Sequence, residues 1–283
     1  MPASYGIQLR DELAKEGILP FIGVYDVFSA TIAGRYFNSL FISGFSFAAS
    51  HYGLPDIGFI AWSDIVSFVQ RVRTVLPGHH LLVDIDDGYC DAEVACHVVS
   101  LLEGIGASGV VLEDQQRPRK CGHLDGKQIM ELDQYVAKLE RVLKTRRDLY
   151  VVARTDATDP ADIARRVEAY AKAGADAILV DGLRDTAMIR KLKPQAGKPL
   201  VVNQIQGGKS PPASLAELKK LGASLVIYST PCLFAAQGAV ENAMRSLQSN
   251  NGVLSAVSSG TVDLKQCNAI LNQNLANRDS VRR

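Results

Sequence analysis

The pattern that most constrains this chain is a series of short apolar runs separated by amphipathic stretches. Eight such runs cover residues 19–26, 40–44, 81–87, 109–114, 149–156, 177–182, 200–205 and 225–230. Most are near-continuously hydrophobic rather than alternating, the pattern of parallel strands covered by helices. The stretches between them have helical periodicity. Residues 63–76 begin with a Ser63 cap and set Ile65, Val66, Val69 and Val72 or Val75 on one face. Asp159 before Pro160 reads as a cap followed by proline at the first helical position. Residues 133–143 align Tyr135, Val136, Leu139 and Val142 or Leu143. Gly106-Ala107-Ser108, Gly174-Ala175-Asp176 and Gly222-Ala223-Ser224 each precede an apolar run, and each glycine is predicted to end a helix in the left-handed conformation. Eight strands alternating with helices predict an α/β fold, a (β/α)8 TIM-type barrel. An open doubly wound sheet is the alternative, disfavoured because no G-x-G-x-x-G follows the first run.

The barrel is predicted to occupy residues 1–250. A C-terminal extension, 251–283, opens with Asn251-Gly252 and Ser258-Ser259-Gly260. It then offers a helix over 262–275 carrying Val262, Leu264, Ile270, Leu271 and Leu275, expected to pack on the barrel or on a neighbouring subunit.

Hydrophobic residues make up 47% of the chain and its formal net charge is +1, so no strong field is on offer to nucleic acid or an anionic membrane. No apolar stretch approaches a membrane span, and the charged residues 5–17 argue against a signal peptide. The cysteines are Cys90, Cys96, Cys121, Cys232 and Cys267, an odd number without a CxxC pair. Neither a disulfide framework nor a zinc ribbon is indicated. A reducing, cytoplasmic setting is expected, with the cysteines other than Cys121 as structural thiols.

Polar residues cluster where the runs end, and in such barrels the C-terminal strand ends build the active site. They are Ser43, Gly44 and Phe45, then Asp84, Asp86 and Asp87, then Glu113 and Asp114. Arg154, Thr155 and Asp156 follow, then Asp181, Asn203 and Gln204, and Tyr228 and Ser229. Asp84 and Asp86, two apart on a strand, are expected to point the same way. With Glu113 they would make a hard-oxygen site for Mg2+ or Mn2+ completed by water. Helix capping is the competing reading for Asp87 and Asp114. Arg154 needs an anionic partner, either a substrate carboxylate or an internal pair with Asp156 or Glu113. Lys120-Cys121-Gly122-His123 lies in a polar loop, where Arg119, Lys120 and His123 are expected to favour the thiolate of Cys121. A proton donor beside a metal platform points to making or breaking a bond next to a carboxylate. His97 reads as an ordinary helical residue, Trp62 as a helix start, and Gly207-Gly208-Lys209-Ser210 as a mobile loop.

In order along the barrel, these residues resemble the isocitrate lyase and phosphoenolpyruvate mutase superfamily. The resemblance runs through Ser43-Gly44, Gly53-Leu54-Pro55-Asp56, Asp84-Ile85-Asp86 and Glu113-Asp114-Gln115. It continues through Lys120-Cys121-Gly122-His123, Ala153-Arg154-Thr155-Asp156 and Asn203 before Gly207-Gly208-Lys209. The Lys-Cys-Gly-His loop is similar to that of the branch that cleaves C–C bonds. The resemblance implies retro-aldol cleavage of a 2-hydroxy di- or tricarboxylate to a 2-oxo acid and a carboxylate. It implies Mg2+ at Asp84, Asp86 and Glu113, and Cys121 as general acid with Arg154, Lys120 and His123 in catalysis. Ser43, Gly44, Phe45, Asp56, Gly122, Asp181 and Asn203 would bind the small carboxylate substrate. It also implies a homotetramer built from dimers that exchange a C-terminal helix. Phe41 stands where similar methylisocitrate lyases have Tyr, and Phe45-Ser46 replaces their Gly-Gly. That turn is closer to the plant and fungal branch acting on 2-alkylmalates and oxaloacetate, and Asp181 stands where Glu is usual. Alternative activities are an oxaloacetate hydrolase or decarboxylase, and a carboxyphosphonoenolpyruvate mutase-like P–C enzyme, against which Cys121 speaks. A non-catalytic binding barrel is the remaining reading.

Overall fold

The computed structural model of the chain describes residues 4–254 and 261–280. Helix α1 (Tyr5–Glu16) leads into β1 (Leu19–Val24), α2 (Val27–Gly34) and β2 (Ser39–Ile42). A short α3 (Gly44–Phe47) runs into a π-helical turn, Ala48–Tyr52, before α4 (Trp62–Val75). The alternation continues with β3 (His80–Asp84), α5 (Ala92–Gly104), β4 (Gly109–Glu113), α6 (Leu132–Thr145), β5 (Tyr150–Thr155) and α7 (Pro160–Ala173). It ends with β6 (Ala177–Val180), α8 (Ala187–Ala196), β7 (Leu200–Gln204), α9 (Leu215–Leu221), β8 (Ala223–Tyr228), α10 (Pro231–Ser249) and α11 (Leu264–Ser280). Each strand pairs in parallel with its sequence neighbours, and β8 closes on β1 through the register Leu19↔Leu225. The predicted (β/α)8 barrel is therefore the fold.

Strand side chains alternate between two cores, because successive residues point to opposite faces. Outward residues such as Leu40, Val83, Val110, Val151 and Ile178 pack under the helices. Inward residues Phe21, Phe41, Leu82, Val111, Val152, Leu179, Val201 and Ile227 fill the barrel. Leu9 and Leu13 of α1 join this inner core, so α1 plugs the N-terminal mouth. Gly17, at φ +74°, stops α1 and turns the chain into β1.

The local signals fare unevenly. Asp159 caps α7 at Ala161 N and Asp162 N with Pro160 at the first turn, and α6 buries Tyr135, Leu139 and Val142. Gly106, Gly174 and Gly222 all have positive φ. Ser63 is not a cap: α4 begins at Trp62 behind Ala61, with no side-chain cap. Its buried face is Ile65, Phe68, Val69 and Val72, with Val66 and Val75 only half-buried. Of the cysteines expected to be structural, Cys96 is buried, whereas Cys90 is exposed and Cys232 and Cys267 are intermediate.

The C-terminal helix is longer than expected and turns a different face inward. Asn274 donates to Thr31 Oγ1 at 3.0 Å, and Asn277 to Val75 O at 2.9 Å, which seats α11 on α2 and α4. Leu264, Leu271 and Leu275, expected to pack, face outward. Among the described residues of α10 none is buried, and Val240 and Met244 are exposed. Apolar helix faces left open in this way favour association. We expect a homotetramer that exchanges the C-terminal helix. Light scattering on the full chain should return the mass of four subunits, and a monomer would dismiss the idea.

Candidate active site

The inward alternation does not stop where the inner core ends. Two residues beyond Phe41, Leu82, Val111, Val152, Leu179, Val201 and Ile227 stand Ser43, Asp84, Glu113, Arg154, Asp181, Asn203 and Ser229. These form one polar layer capping the apolar barrel core. On β1 the corresponding residue is Gly23, where an added Cβ would lie 2.1 Å from Ser229 O. Only a residue without Cβ lets the β8 end come so close.

Arg154 organises the layer. It grips Asp156 at 2.9 and 3.1 Å, and lies 3.2 Å from Glu113 and 2.9 Å from Asp181. The internal pairs foreseen for this guanidinium, with Asp156 and Glu113, are both formed. Asp181 also accepts from Asn203 Nδ2 at 3.0 Å, and Asn203 Oδ1 accepts from Ser229 Oγ at 2.6 Å. Burial would raise the Asp181 pKa, but Arg154 and His123 prevail and hold it well below the usual carboxylate range.

The acids at β3 converge by a turn rather than by strand alternation. The strand ends at Asp84, and Asp86 lies beyond it at φ +51°, its N–H donating to Asp84 Oδ1 at 3.2 Å. Neither buried oxygen of Asp86 has a hydrogen-bond partner. Burial pushes its pKa well above the ordinary range, even with Arg119 nearby. A Cβ on Gly44 would sit 3.0 Å from Asp84 Oδ2 and 3.4 Å from Asp86 Oδ1, so the glycine keeps open a space that both acids face. Orphaned, buried oxygens around an open space fit a hard divalent cation. Glu113 is not a ready third ligand, because Arg119 holds it at 2.7 Å. Among the described residues no three His, Cys, Asp or Glu groups form a closed metal cage. Water or substrate would complete the sphere.

Asp87 and Asp114 are not helix caps. Asp87 pairs with Arg117 at 2.8 Å, and Asp114 receives Thr155, Tyr170, Arg166 and the Asp156 N–H. Arg119 does not attend the thiol. Its guanidinium is fully buried against Asp56, Asp86 and Glu113.

Cys121 and Gly122 lie over the polar layer on a loop that is closed down. The cavity beneath holds about 20 Å3, room for one water. It is lined by Ser43, Phe45, Asp56, Asp84, Cys121, Gly122, Arg154, Asp181, Asn203 and Ser229. An added Cβ on Gly122 would come 1.9 Å from Asp181 Oδ2, so closure requires glycine there. Gly44, Asp86, Glu113, Lys120 and His123 stand behind this lining. A roomier cleft of about 640 Å3 lies under α11, but no carboxylate lines it.

A model of the phosphoenolpyruvate phosphomutase family matches residues 9–248. The chain belongs to the phosphoenolpyruvate mutase and isocitrate lyase superfamily. It is 32% identical over 246 residues to a 2-methylisocitrate lyase of Aeropyrum pernix, covering 86% of this chain and 79% of that one. It is 28% identical over 250 residues to the 2,3-dimethylmalate lyase of Eubacterium barkeri, covering 86% of both. Oxaloacetate acetylhydrolase with 3,3-difluorooxalacetate superposes with a TM-score of 0.90 at 26% identity, covering 99% of this chain and 97% of that one. This superfamily member is an enzyme. Among its described residues no helix is long and apolar enough to cross a membrane.

His123 and Lys120 tie the Cys121 loop to its surroundings. His123 Nδ1 accepts from Lys209 N at 2.8 Å, which puts the proton of a neutral ring on Nε2. Nε2 lies 3.3 Å from Asp181 Oδ1 without hydrogen-bond alignment. The 207–210 loop, read as mobile, is fastened to the Cys121 loop here. Lys209 Nζ also donates to Leu124 O at 2.9 Å and Asp125 at 2.6 Å. Lys120 bonds Gln115 through its backbone, and Gln115 Nε2 in turn reaches Asp156 at 3.1 Å. Ser229 and Gln115 were named in the sequence without a role, and Lys127 escaped the sequence-based selection of site residues.

The thiol differs from expectation. Burial pushes Cys121 up to about 11, the His123 backbone and Arg154 oppose it, and Asp181 and Asp56 reinforce it. The thiol therefore stays protonated at neutral pH. Since only the thiolate is nucleophilic, iodoacetamide should label Cys121 slowly and accelerate as pH climbs towards about 11. Exposed Cys90 provides the internal control in mass spectrometry. Rapid labelling of Cys121 at neutral pH would contradict this geometry.

Proposed function

We propose that the protein is a Mg2+-dependent carbon–carbon lyase that splits a 2-hydroxy dicarboxylate of the 2-alkylmalate type into a 2-oxo acid and a shorter carboxylate. One observation carries the reading: a half-buried Cys121 thiol that keeps its proton lies over a polar layer beside Asp84 and Asp86, and Asp86, 3.3 Å from Arg119, accepts no hydrogen bond. In retro-aldol cleavage the substrate hydroxyl loses its proton, its oxygen becomes the new carbonyl, and the C–C electrons pass to the departing carboxylate. That fragment must be protonated at carbon. Cys121 holds its proton at neutral pH and stands above the layer, so it supplies that proton. A divalent cation between Asp84 and Asp86 would supply charge to bind the hydroxy-carboxylate end and ease loss of the hydroxyl proton. Arg154 keeps Asp156 and Asp181 in place, and the closed loop excludes water from the carbanion.

The lining argues for a compact substrate. Arg119 and Arg154 are each engaged by several carboxylates, which leaves no idle guanidinium for a third substrate carboxylate. The rest of the wall is Phe41, Phe45, Leu179, Ile205 and Ile227, which suits an alkyl branch. This favours 2-alkylmalates over 2-methylisocitrate.

Mg2+-dependent release of 2-oxo acid from dimethylmalate, citramalate, 2-methylisocitrate, isocitrate and oxaloacetate tests the reading. Dimethylmalate or citramalate is expected to turn over fastest. Cys121→Ser should lower that turnover at least ~100-fold, the scale of a lost acid–base group. Near-wild-type turnover in this variant would end the thiol mechanism and favour oxaloacetate decarboxylation or P–C chemistry. For the metal, Asp86→Ala should weaken Mg2+ binding by at least ~10-fold in calorimetry with an unchanged circular dichroism spectrum. Unaltered affinity would remove Asp86 from the metal site.

A further inference from the structure

We propose that Lys127 is a positioning residue: its buried ammonium latches the Cys121 loop shut and fixes where the thiol stands relative to Arg154. The loop has a defined neck. Gln115 bridges Ile129, Gln116 N donates to Gln128 O at 2.8 Å, and Met130 N donates to Asp114 O at 2.7 Å. Residues 117–127 form the tip over the barrel mouth. Lys127 stands where tip meets neck and turns inward, its side chain 5% exposed.

Its Nζ donates to the carbonyl of Gly122 and, at 2.6 Å, to Asp156 Oδ1. Gly122 follows Cys121 directly, so anchoring its carbonyl fixes the backbone within one residue of the thiol. Asp156 is the carboxylate that grips Arg154 through Nε and Nη2. One ammonium thus ties the proton donor's backbone to the group that aims the guanidinium. Lys127 also helps, after Arg154, to hold the Asp156 pKa down against burial.

Other contacts hold this tip as well: Gln115 bonds both backbone groups of Lys120, and His123 accepts from Lys209 N. Lys209 reaches Asp125, whose side chain is 84% exposed, so water screens that pair. Arg117–Asp87 is partly exposed, whereas Arg119, fully buried against Asp56, Asp86 and Glu113, anchors the start of the tip. The Lys127–Asp156 pair is shielded on both sides, and it belongs to the loop on one side and the barrel on the other. It can also release. When the tip lifts, Lys127 meets water while Asp156 keeps Arg154 and Gln115, so neither charge is stranded. A cavity with room for about one water must open before any substrate enters, and this latch gives way and re-forms.

The proposal rests on Cys121 as proton donor, but one arm of its test does not. Lys127→Met keeps the length and removes the charge. Iodoacetamide labelling of Cys121 at about pH 8 should then rise at least ~10-fold, because the thiol spends more time uncovered. With the best substrate, kcat should fall at least ~10-fold, on the scale of a misplaced catalytic group, with a smaller change in KM. Mg2+ affinity should stay within about twofold, and Lys127→Arg should restore most of the turnover. Unchanged labelling in Lys127→Met overturns the latch whether or not the enzyme is active. Unchanged kcat overturns the positioning role. If Lys127→Met fails to fold, Lys127→Gln, which retains a donor for the Gly122 carbonyl, is judged by the same readouts. A wild-type protein inactive on every substrate would count against the lyase reading while the labelling arm still decided the latch.

Discussion

The interior of this barrel mouth holds more negative charge than it can bury unaided. Asp56, Asp84, Asp86, Glu113, Asp156 and Asp181 are all buried, and the cations among them are Arg119, Arg154 and Lys127. Each ion taken out of water costs several kcal/mol even after relaxation, about the whole stability of many domains. The acids are therefore tolerated only in shared arrangements. Arg154 serves Asp156, Asp181 and Glu113, and Arg119 serves Asp56, Asp86 and Glu113. Where the sharing runs short, protons fill in: burial lifts Glu113 to about 7 against both arginines. The acids left least satisfied, Asp84 and Asp86, are those best placed to receive a metal.

This arrangement follows from the strands. Because side chains alternate, the layer above an apolar barrel core is set in register before any loop contributes. The neighbouring strands pair Glu113 with Arg154 directly, which brings opposite charges together at the β4–β5 seam. Beneath it, Asp114 gathers Arg166, Tyr170, Thr155 and the Asp156 N–H on the helix side. Consecutive residues Glu113 and Asp114 thus serve opposite faces of one strand, one towards the polar layer of the barrel mouth and one towards the packing of α7. Removing one partner of such a buried pair typically costs about 3–5 kcal/mol.

The barrel was legible because each apolar run and each glycine stop acts through local physics. Gly174 ends α7 and Asp159 starts it whatever else the chain does. The strand-end polar residues were legible for the same reason. What the sequence withheld was how the charges are shared. Arg119, Lys120 and His123 flank Cys121 in sequence, and proximity along the chain implied a thiolate. In space Arg119 turns to the β3 acids, His123 faces Lys209 and Asp181, and burial governs the thiol. Ser63 failed as a cap because α4 starts one residue earlier, at Trp62, whose ring packs edge-on to His97. Lys127 carried no sequence signal, since a lysine in a polar loop is ordinarily a solvated charge.

Strain marks the same place from another direction. Asp86 and Tyr89 take positive φ, at +51° and +72°, in one turn after β3. Each such residue without the freedom of glycine costs on the order of 1–2 kcal/mol. A strand continued in regular geometry would have avoided that cost, but Asp86 would then have stayed in the strand's plane of alternation. The turn instead folds Asp86 back so that its N–H meets Asp84 and its carboxylate faces the space beside Gly44. Backbone strain, buried carboxylate oxygens that accept no hydrogen bond and a glycine that keeps a gap open are independent features. They coincide at one point below a loop whose closure requires Gly122. A fold optimised for stability alone would relieve each of them, so their coincidence is best explained by binding at that point.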